Sequence, residues 1–315
     1  MILLGTVLLL QLAAPVALLA WLSAGTFTSR AETIATALLA ALWLLAIDRI
    51  GFWFVLPRWL LWVLAAVWLG AVWQAWRKVR SGRAWPANGR LRLRAATIGL
   101  VALGSGAIWI AALAGRSAPA ADAVDLAFPL RQGHFVVANG GSNVLINAHL
   151  ETLDDPRFAP VRGQAYAIDV VAVNAIGTHA NGLLPADPAR YVIYGVPVHA
   201  PCAGAVAQIE NTLPDLSPPQ SDARNPAGNS ILIDCGGFTV LLAHLRQGSV
   251  RVRPGHRVTE GEVIGAVGNS GNTDEPHLHL HAQRPGSGAM MLGGEPLWMR
   301  FKGTSPVRNE RFGSN

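Results

Sequence analysis

Long apolar segments fill the first 115 residues and predict four membrane-spanning helices, at 1–24, 33–56, 59–76 and 95–114. At 1.5 Å per residue, helices of this length can cross about 30 Å of bilayer hydrocarbon. The first segment contains no charged residue, and Arg30 is the first basic one. We therefore interpret it as a span and not as a cleaved signal peptide, which would begin with basic residues. An arrangement with three spans, in which the first two segments do not both cross, remains open.

Charge in the connecting loops predicts the orientation of these spans. The loop before the fourth segment has seven basic residues and no acidic one: Arg77, Lys78, Arg80, Arg83, Arg90, Arg92 and Arg94. Short loops rich in Lys and Arg stay on the cytoplasmic side. The fourth span then runs outward, and residues after about Arg116 are predicted to be extracytoplasmic. Asp48 and Arg49 are expected to form an ion pair near the outer end of the second span.

The chain changes character after the fourth span. Residues 116–127 are interpreted as a linker, 128–302 as a folded domain and 303–315 as a C-terminal tail. Short apolar runs alternate with turn residues in this domain, and a sustained helical period is missing. This pattern predicts an all-β domain, with strands at 166–173, 204–209, 230–235, 238–244 and 263–267. A polar stretch at 208–228 is predicted to be a long loop between two strands.

Composition and cysteine content agree with this division. Hydrophobic residues make up 51% of the chain and charged residues only 14%, a balance typical of membrane proteins. The formal net charge of +6 comes largely from one arginine-rich loop, so nucleic-acid binding is not predicted. Cys202 and Cys235 both lie in the predicted extracytoplasmic domain, where disulfides persist. We expect a disulfide between them in preference to two buried thiols.

Three histidines alternate along one short segment, His277-Leu278-His279-Leu280-His281. Alternate side chains of a β-strand share a face, so the three imidazoles should point the same way. Such a face makes a poor core, because every ring N–H needs a partner. Neutral imidazole is a common ligand of zinc, and histidine is also a frequent acid–base catalyst. The segment therefore predicts a metal or acid–base site.

Four elements in sequence order carry a family resemblance: Tyr166-Ala167-Ile168-Asp169, residues 198–206, Leu241-Leu242-Ala243-His244-Leu245, and residues 258–271 followed by Pro276-His277-Leu278-His279. Together they resemble the lysostaphin/LytM-type zinc metallopeptidases over roughly residues 140–285. The resemblance implies an antiparallel β-sheet groove that binds peptidoglycan peptides. It also implies a single Zn²⁺ ion with Asp169 and His279 among its ligands, and His244 and His277 as catalytic histidines. His281 is expected to support a ligand from behind.

One ligand of the family pattern is displaced in this chain. The family places a histidine four residues before the aspartate, where this sequence has Ala165. Our preferred substitute is His149, because residues 164–169 are similar to a divergent branch of the family. His134 and His179 remain alternatives, whereas His199 and His256 are expected at the surface. Asp274 and Glu275 also replace the Ser-x-Gly that is usual before the His-x-His element.

The spans and the resemblance together imply a membrane-anchored zinc endopeptidase that hydrolyses peptide bonds of peptidoglycan. Its expected location is the bacterial inner membrane, with the C-terminal domain in the periplasm. The expected partners are the wall peptide and the lipid bilayer. One alternative is an inactive LytM-like domain that binds or regulates cell-wall enzymes. Another is a zinc peptidase that acts on a peptide outside the wall.

Overall fold

The computed structural model describes residues 2–117, 123–284 and 291–313. It divides the chain into two compact units, Met1–Ala114 and Gly115–Asn315. The first unit is helical and the second is built on a β-sheet, as the hydrophobic pattern predicts.

Helices dominate the N-terminal unit: α1 Ile2–Val7, a π-helical stretch Leu8–Ala13, α2 Ala14–Ala24, α3 Arg30–Ile50, α4 Trp59–Val79 and α5 Gly89–Ala114. Within the described residues, four helical segments are long and apolar enough to span a membrane: Gly5–Ala24, Arg30–Ile50, Trp59–Val79 and Gly89–Ala114. One buried carboxylate inside this unit is paired with a cation. The fully buried Glu32 of α3 bonds Arg94 Nε of α5 at 2.8 Å. Such pairing offsets the cost of burying a carboxylate.

The second helix is shifted relative to its predicted bounds of 33–56. It begins at Arg30, because the Ser29 hydroxyl caps it by accepting a hydrogen bond from the Glu32 N–H. It ends at Ile50, where Gly51 turns to extended backbone. Asp48 bonds Arg49 at 3.3 Å, as expected, and also Arg58 at 2.8 Å.

In the part of the C-terminal unit that the structure describes, there are twelve strands: β1 Ala123–Leu126, β2 His134–Asn139, β3 Ile168–Ala172, β4 Pro197–His199, β5 Gly204–Glu210, β6 Asn229–Asp234, β7 Thr239–Leu245, β8 Arg257–Val258, β9 Val263–Ala266, β10 Leu278–Arg284, β11 Glu295–Phe301 and β12 Arg311–Gly313. The main sheet runs in the order β12-β2-β3-β10-β7-β6-β5-β8. Strand β11 pairs with β10 and β1, while β4 and β9 form a separate pair. All pairings are antiparallel except β1 with β11.

The strand period separates core from site in β10. Leu278, Leu280 and Ala282 point into the main hydrophobic core and are fully buried. The intervening His279 and His281 therefore lie on the opposite face of the sheet. The alternation of leucine and histidine thus packs one face of β10 against the core and leaves the imidazoles on the other face.

Two segments outside the predicted domain bounds belong to the sheet. The predicted linker, 116–127, contains β1, which pairs with β11. The predicted tail, 303–315, contains β12, which pairs with β2, and its residue Arg308 is buried. Neither strand was predicted, for the same reason. Strands of three or four residues have too little local pattern to be recognised, and they are held by tertiary pairing.

A disulfide joins Cys202 to Cys235 across 33 residues of chain, with Cα atoms 6.0 Å apart. It links the turn before β5 to the end of β6. Between these two strands lies the long loop that the sequence predicted at 208–228; in the structure it covers residues 211–228, because β5 extends to Glu210.

Candidate metal centre

Sheet register brings Asp169 and His279 together. Strands β3 and β10 are antiparallel neighbours, and these two residues stand directly opposite each other. Both side chains are buried, and Asp169 Oδ1 lies 3.0 Å from His279 Nδ1. Opposed residues of paired strands have Cβ atoms about 5 Å apart, so the contact follows from the register.

His149 reaches the same carboxylate from outside the sheet. It lies in a short 3₁₀ helix, Ala148–Thr152, which Asn147 caps by accepting a hydrogen bond from the His149 N–H. The Asn147 amide also donates to the Ala167 carbonyl at 3.1 Å, which ties this helix to the start of β3. His149 Nε2 consequently lies 2.9 Å from Asp169 Oδ2.

The other candidates for the displaced ligand lie elsewhere. His134 is exposed at the start of β2. His179 is buried, and its Nε2 lies 2.9 Å from Glu275 Oε2. His199 is half-buried, with Nδ1 directed at the Pro129 carbonyl, and His256 is exposed as expected. Of these histidines, only His149 is brought to Asp169.

The donor set fits a zinc ion. One ligand atom from each of His149, Asp169 and His279 lies within 4.8 Å of the other two. Two imidazole nitrogens and one carboxylate oxygen are a set that zinc accepts in catalytic sites, with a further position left for water. Burial by itself raises the pKa of Asp169, but the charges and hydrogen bonds of the surrounding histidines outweigh this and hold the pKa well below its usual value. A buried, ionised carboxylate between imidazoles is suited to a divalent cation.

His281 stands behind His279. Its Nδ1 lies 3.1 Å from His279 Nε2, and burial lowers the pKa of His281 well below the usual range, so this imidazole is neutral. If His279 Nδ1 is directed at a metal, the His279 proton resides on Nε2 and is donated to His281. Outer partners of this kind fix the tautomer and orientation of a ligand.

His244 and His277 form a second pair beside the cluster, with ring centroids 4.7 Å apart. His244 Nδ1 donates to the Ser270 carbonyl at 2.9 Å, and His277 Nδ1 donates to the Glu275 carbonyl at 2.8 Å. Because a carbonyl only accepts, Nδ1 carries the proton in both rings, and each Nε2 is left as a base. His277 Nε2 lies 3.5 Å from Asp169 Oδ1, which places that base at the cluster.

The surroundings of His244 favour a neutral ring. Burial is the largest cause that lowers its pKa well below the usual value, and the neighbouring charges of His277 and His279 act in the same direction. His244 also has a left-handed backbone, with φ of 61°. Sparsely populated backbone conformations of this kind are enriched at functional sites.

Two supports of the site were not predicted from the sequence. Glu275, whose carbonyl holds His277, is itself held by the buried His179. The loop at 211–228 contacts the segment that carries Ser270, because Asp215 accepts a hydrogen bond from the Asn269 N–H at 2.7 Å. For the contact between His179 and Glu275, the only indication in the sequence was that Glu275 stands where the family usually has a small residue.

Comparison with known proteins gives a family match for part of the C-terminal unit. Residues 191–290 match Peptidase family M23, a stretch that includes His244, His277 and His279 but not His149 or Asp169. A comparison with curated proteins finds no match.

Solved structures with detectable similarity include peptidases of this type. A putative M23 peptidase from Pseudomonas aeruginosa is 28% identical over 29% of this chain and 34% of its own, with a TM-score of 0.23. LytU is 30% identical over 30% of this chain and 58% of its own, with a TM-score of 0.23. The catalytic domain of the antimicrobial peptidase lysostaphin from Staphylococcus simulans is 21% identical over 40% of this chain and 72% of its own, with a TM-score of 0.26. The chain thus spans about a third of the first of these proteins.

Residues 191–290 of the C-terminal unit, the stretch that carries His244, His277 and His279, thus match Peptidase family M23.

Proposed function

We propose that this chain is a membrane-anchored zinc metallo-endopeptidase that hydrolyses peptide bonds of peptidoglycan. The observation that carries the proposal is the pairing of a three-ligand cluster with two histidines whose Nε2 atoms are bases. His149, Asp169 and His279 would hold the ion, and His244 and His277 would handle protons.

The chain's residues divide the chemistry between them. When bound, zinc would supply a Lewis acid that lowers the pKa of water and polarises the scissile carbonyl. His277, with its free Nε2 at the cluster, is placed to accept the proton of the attacking water. Once His277 has accepted that proton, its Nε2–H can return it to the leaving amine. His244, whose neutral ring also leaves Nε2 free, can take the same proton instead, so the two histidines can exchange roles. Either assignment uses positioned general acid–base catalysis.

The substrate class follows from the resemblance to lysostaphin-type peptidases, whose sheet face binds wall peptides. Four spanning helices would hold the domain beside the peptidoglycan if the C-terminal unit lies outside the inner membrane. Anchoring of this kind restricts the enzyme to bonds near the membrane surface.

Digestion of purified peptidoglycan by the zinc-loaded full chain in detergent micelles tests the proposal. We expect new α-amino groups to appear with time, and a chelator to stop their release. Mass spectrometry of the products identifies the bond. Binding to the wall without amine release would favour the non-catalytic regulator. Cleavage of other peptides but not of the wall would favour a different peptide substrate.

The proposed topology places Asn315 in the periplasm, because basic residues cluster in the loop between α4 and α5 and at the adjoining helix ends, and such clusters stay in the cytoplasm. Alkaline phosphatase fused after Asn315 should be active, and green fluorescent protein fused there should be dark. Fusions after Gly82, in the basic loop, provide the matched control and should behave in the opposite way. A fluorescent fusion at Asn315 would contradict the topology.

A further inference from the structure

Arg308 is a buried cation close to the candidate metal centre. Only 5% of the residue is exposed, although it lies in the C-terminal segment that the sequence suggested was a tail. Its Nε donates to the Ala138 carbonyl at 2.9 Å, Nη1 to the Leu145 carbonyl at 3.1 Å and Nη2 to the Asn139 side-chain oxygen at 2.7 Å. Burial lowers the pKa of Arg308 to about 10, so the guanidinium remains charged at neutral pH.

Asn139 connects this cation to the cluster. It stands opposite Asp169 in the pairing of β2 with β3, and its Nδ2 donates to Asp169 Oδ2 at 2.9 Å. The orientation of the amide is determined by its two neighbours. A guanidinium only donates and an ionised carboxylate only accepts, so the amide oxygen must face Arg308 and the NH₂ must face Asp169.

The same carboxylate oxygen faces His149. Asp169 Oδ2 lies 2.9 Å from His149 Nε2, while Oδ1 faces His279. A side-chain carboxylate can rotate about its terminal torsion, and that torsion has no sharp intrinsic preference. The hydrogen bond from Asn139 to Oδ2 restricts this rotation, and Arg308 restricts Asn139 in turn.

We propose that Arg308 and Asn139 are positioning residues, which act in series to orient the Asp169 carboxylate for metal binding. This inference rests on the zinc site of the proposed function. Metal-site carboxylates depend on such outer partners, and loss of one typically weakens metal affinity by about 10–100-fold. The C-terminal segment is thereby part of the metal centre and not an appendage to the domain.

A purely structural role makes a different prediction. Two of the three guanidinium bonds go to backbone carbonyls and hold residues 138 and 145 in place. If Arg308 served only this purpose, its replacement would lower the stability of the domain, and any effect on zinc affinity would be independent of Asn139.

A double-mutant cycle in the full chain separates the two roles. The native chain, Asn139→Ala, Arg308→Lys and the double variant are titrated with zinc against a chromophoric chelator, and thermal unfolding is recorded without metal. We expect Asn139→Ala to weaken zinc binding by about 10–100-fold. Arg308→Lys should weaken zinc binding by about 10-fold when Asn139 is present. When Asn139 is absent, the same substitution should weaken zinc binding by less than about 2-fold, because Arg308 acts on Asp169 only through Asn139 and the two effects are then non-additive.

Arg300→Lys is the matched control, because Arg300 bonds the exposed Asp125 on β1 and should leave zinc affinity unchanged. Equal effects of Arg308→Lys in both backgrounds would overturn the series arrangement. Native zinc affinity in Asn139→Ala, a variant that keeps all the core residues, would overturn the proposal even if the Arg308 variants fail to fold. Absence of zinc binding by the native chain would overturn the proposed function, and this inference with it.

Discussion

His149→Ala is expected to weaken zinc binding by more than 100-fold and to abolish cleavage of peptidoglycan. The reason is that His149 Nε2 is one of three ligand atoms grouped around Asp169. Loss of an outer partner costs about 10–100-fold in metal affinity, and loss of a direct ligand should cost more. Zinc titration and amine release from purified walls, both on the full chain, measure the two effects.

Two matched variants accompany this experiment. His134→Ala removes an exposed histidine at the start of β2 and should leave both quantities unchanged. Asp169→Ala removes the central carboxylate and should lose both. Native zinc affinity in His149→Ala would show that the displaced family ligand is supplied by another residue. Zinc loss in His134→Ala would point to that residue.

His277→Ala is expected to retain zinc and to lose turnover by about 10²–10⁴-fold, the usual contribution of a positioned general base. Its Nδ1 proton is donated to the Glu275 carbonyl, so Nε2 is free to accept a proton at the cluster. Its ring nitrogens are not among the three grouped ligand atoms. The measurement is kcat for wall digestion together with the zinc content of the same sample.

His256→Ala provides the control for this variant, since His256 is exposed and outside the cluster. An unchanged kcat in His277→Ala would remove His277 from the mechanism. Loss of zinc from His277→Ala would instead make His277 a ligand, and the division of roles within the His-x-His element would have to be reversed.

The elements that could be predicted from the sequence are those with a long or regular pattern. Four apolar segments were sufficient to predict the helical unit. Helix α3 begins at Arg30, three residues before its predicted start at 33, because Ser29 caps it. Alternation of His and Leu in 277–281 predicted both a strand and the face that its histidines share. That prediction is confirmed for His279 and His281, because the neighbouring Leu278 and Leu280 are buried in the core. His277 immediately precedes β10 and is not part of the strand.

Features that depend on tertiary contacts could not be predicted. Strand β1 has four residues and β12 three, and both were assigned to flanking segments because neither has a period long enough to detect. Arg308 showed no local signal of burial, since arginine is usually exposed and its three acceptors come from residues more than 160 positions away.

The displaced ligand lies between these cases. The sequence showed that Ala165 could not be the ligand and favoured His149 in its place, with His134 and His179 as alternatives. Choosing among them required the conformation of the loop between β2 and β3, where Asn147 anchors the helix that carries His149. Loop conformation is determined by such specific hydrogen bonds and not by periodicity.

The number of zinc ions bound per native full-length chain tests the account most directly. The chain is loaded with zinc in detergent micelles, dialysed, and analysed for metal and protein, with a sample treated with a strong chelator as the blank. The account predicts one zinc per chain, with none remaining after chelation. A native chain that folds and binds no zinc would contradict the account and favour a family M23 domain that binds without cutting.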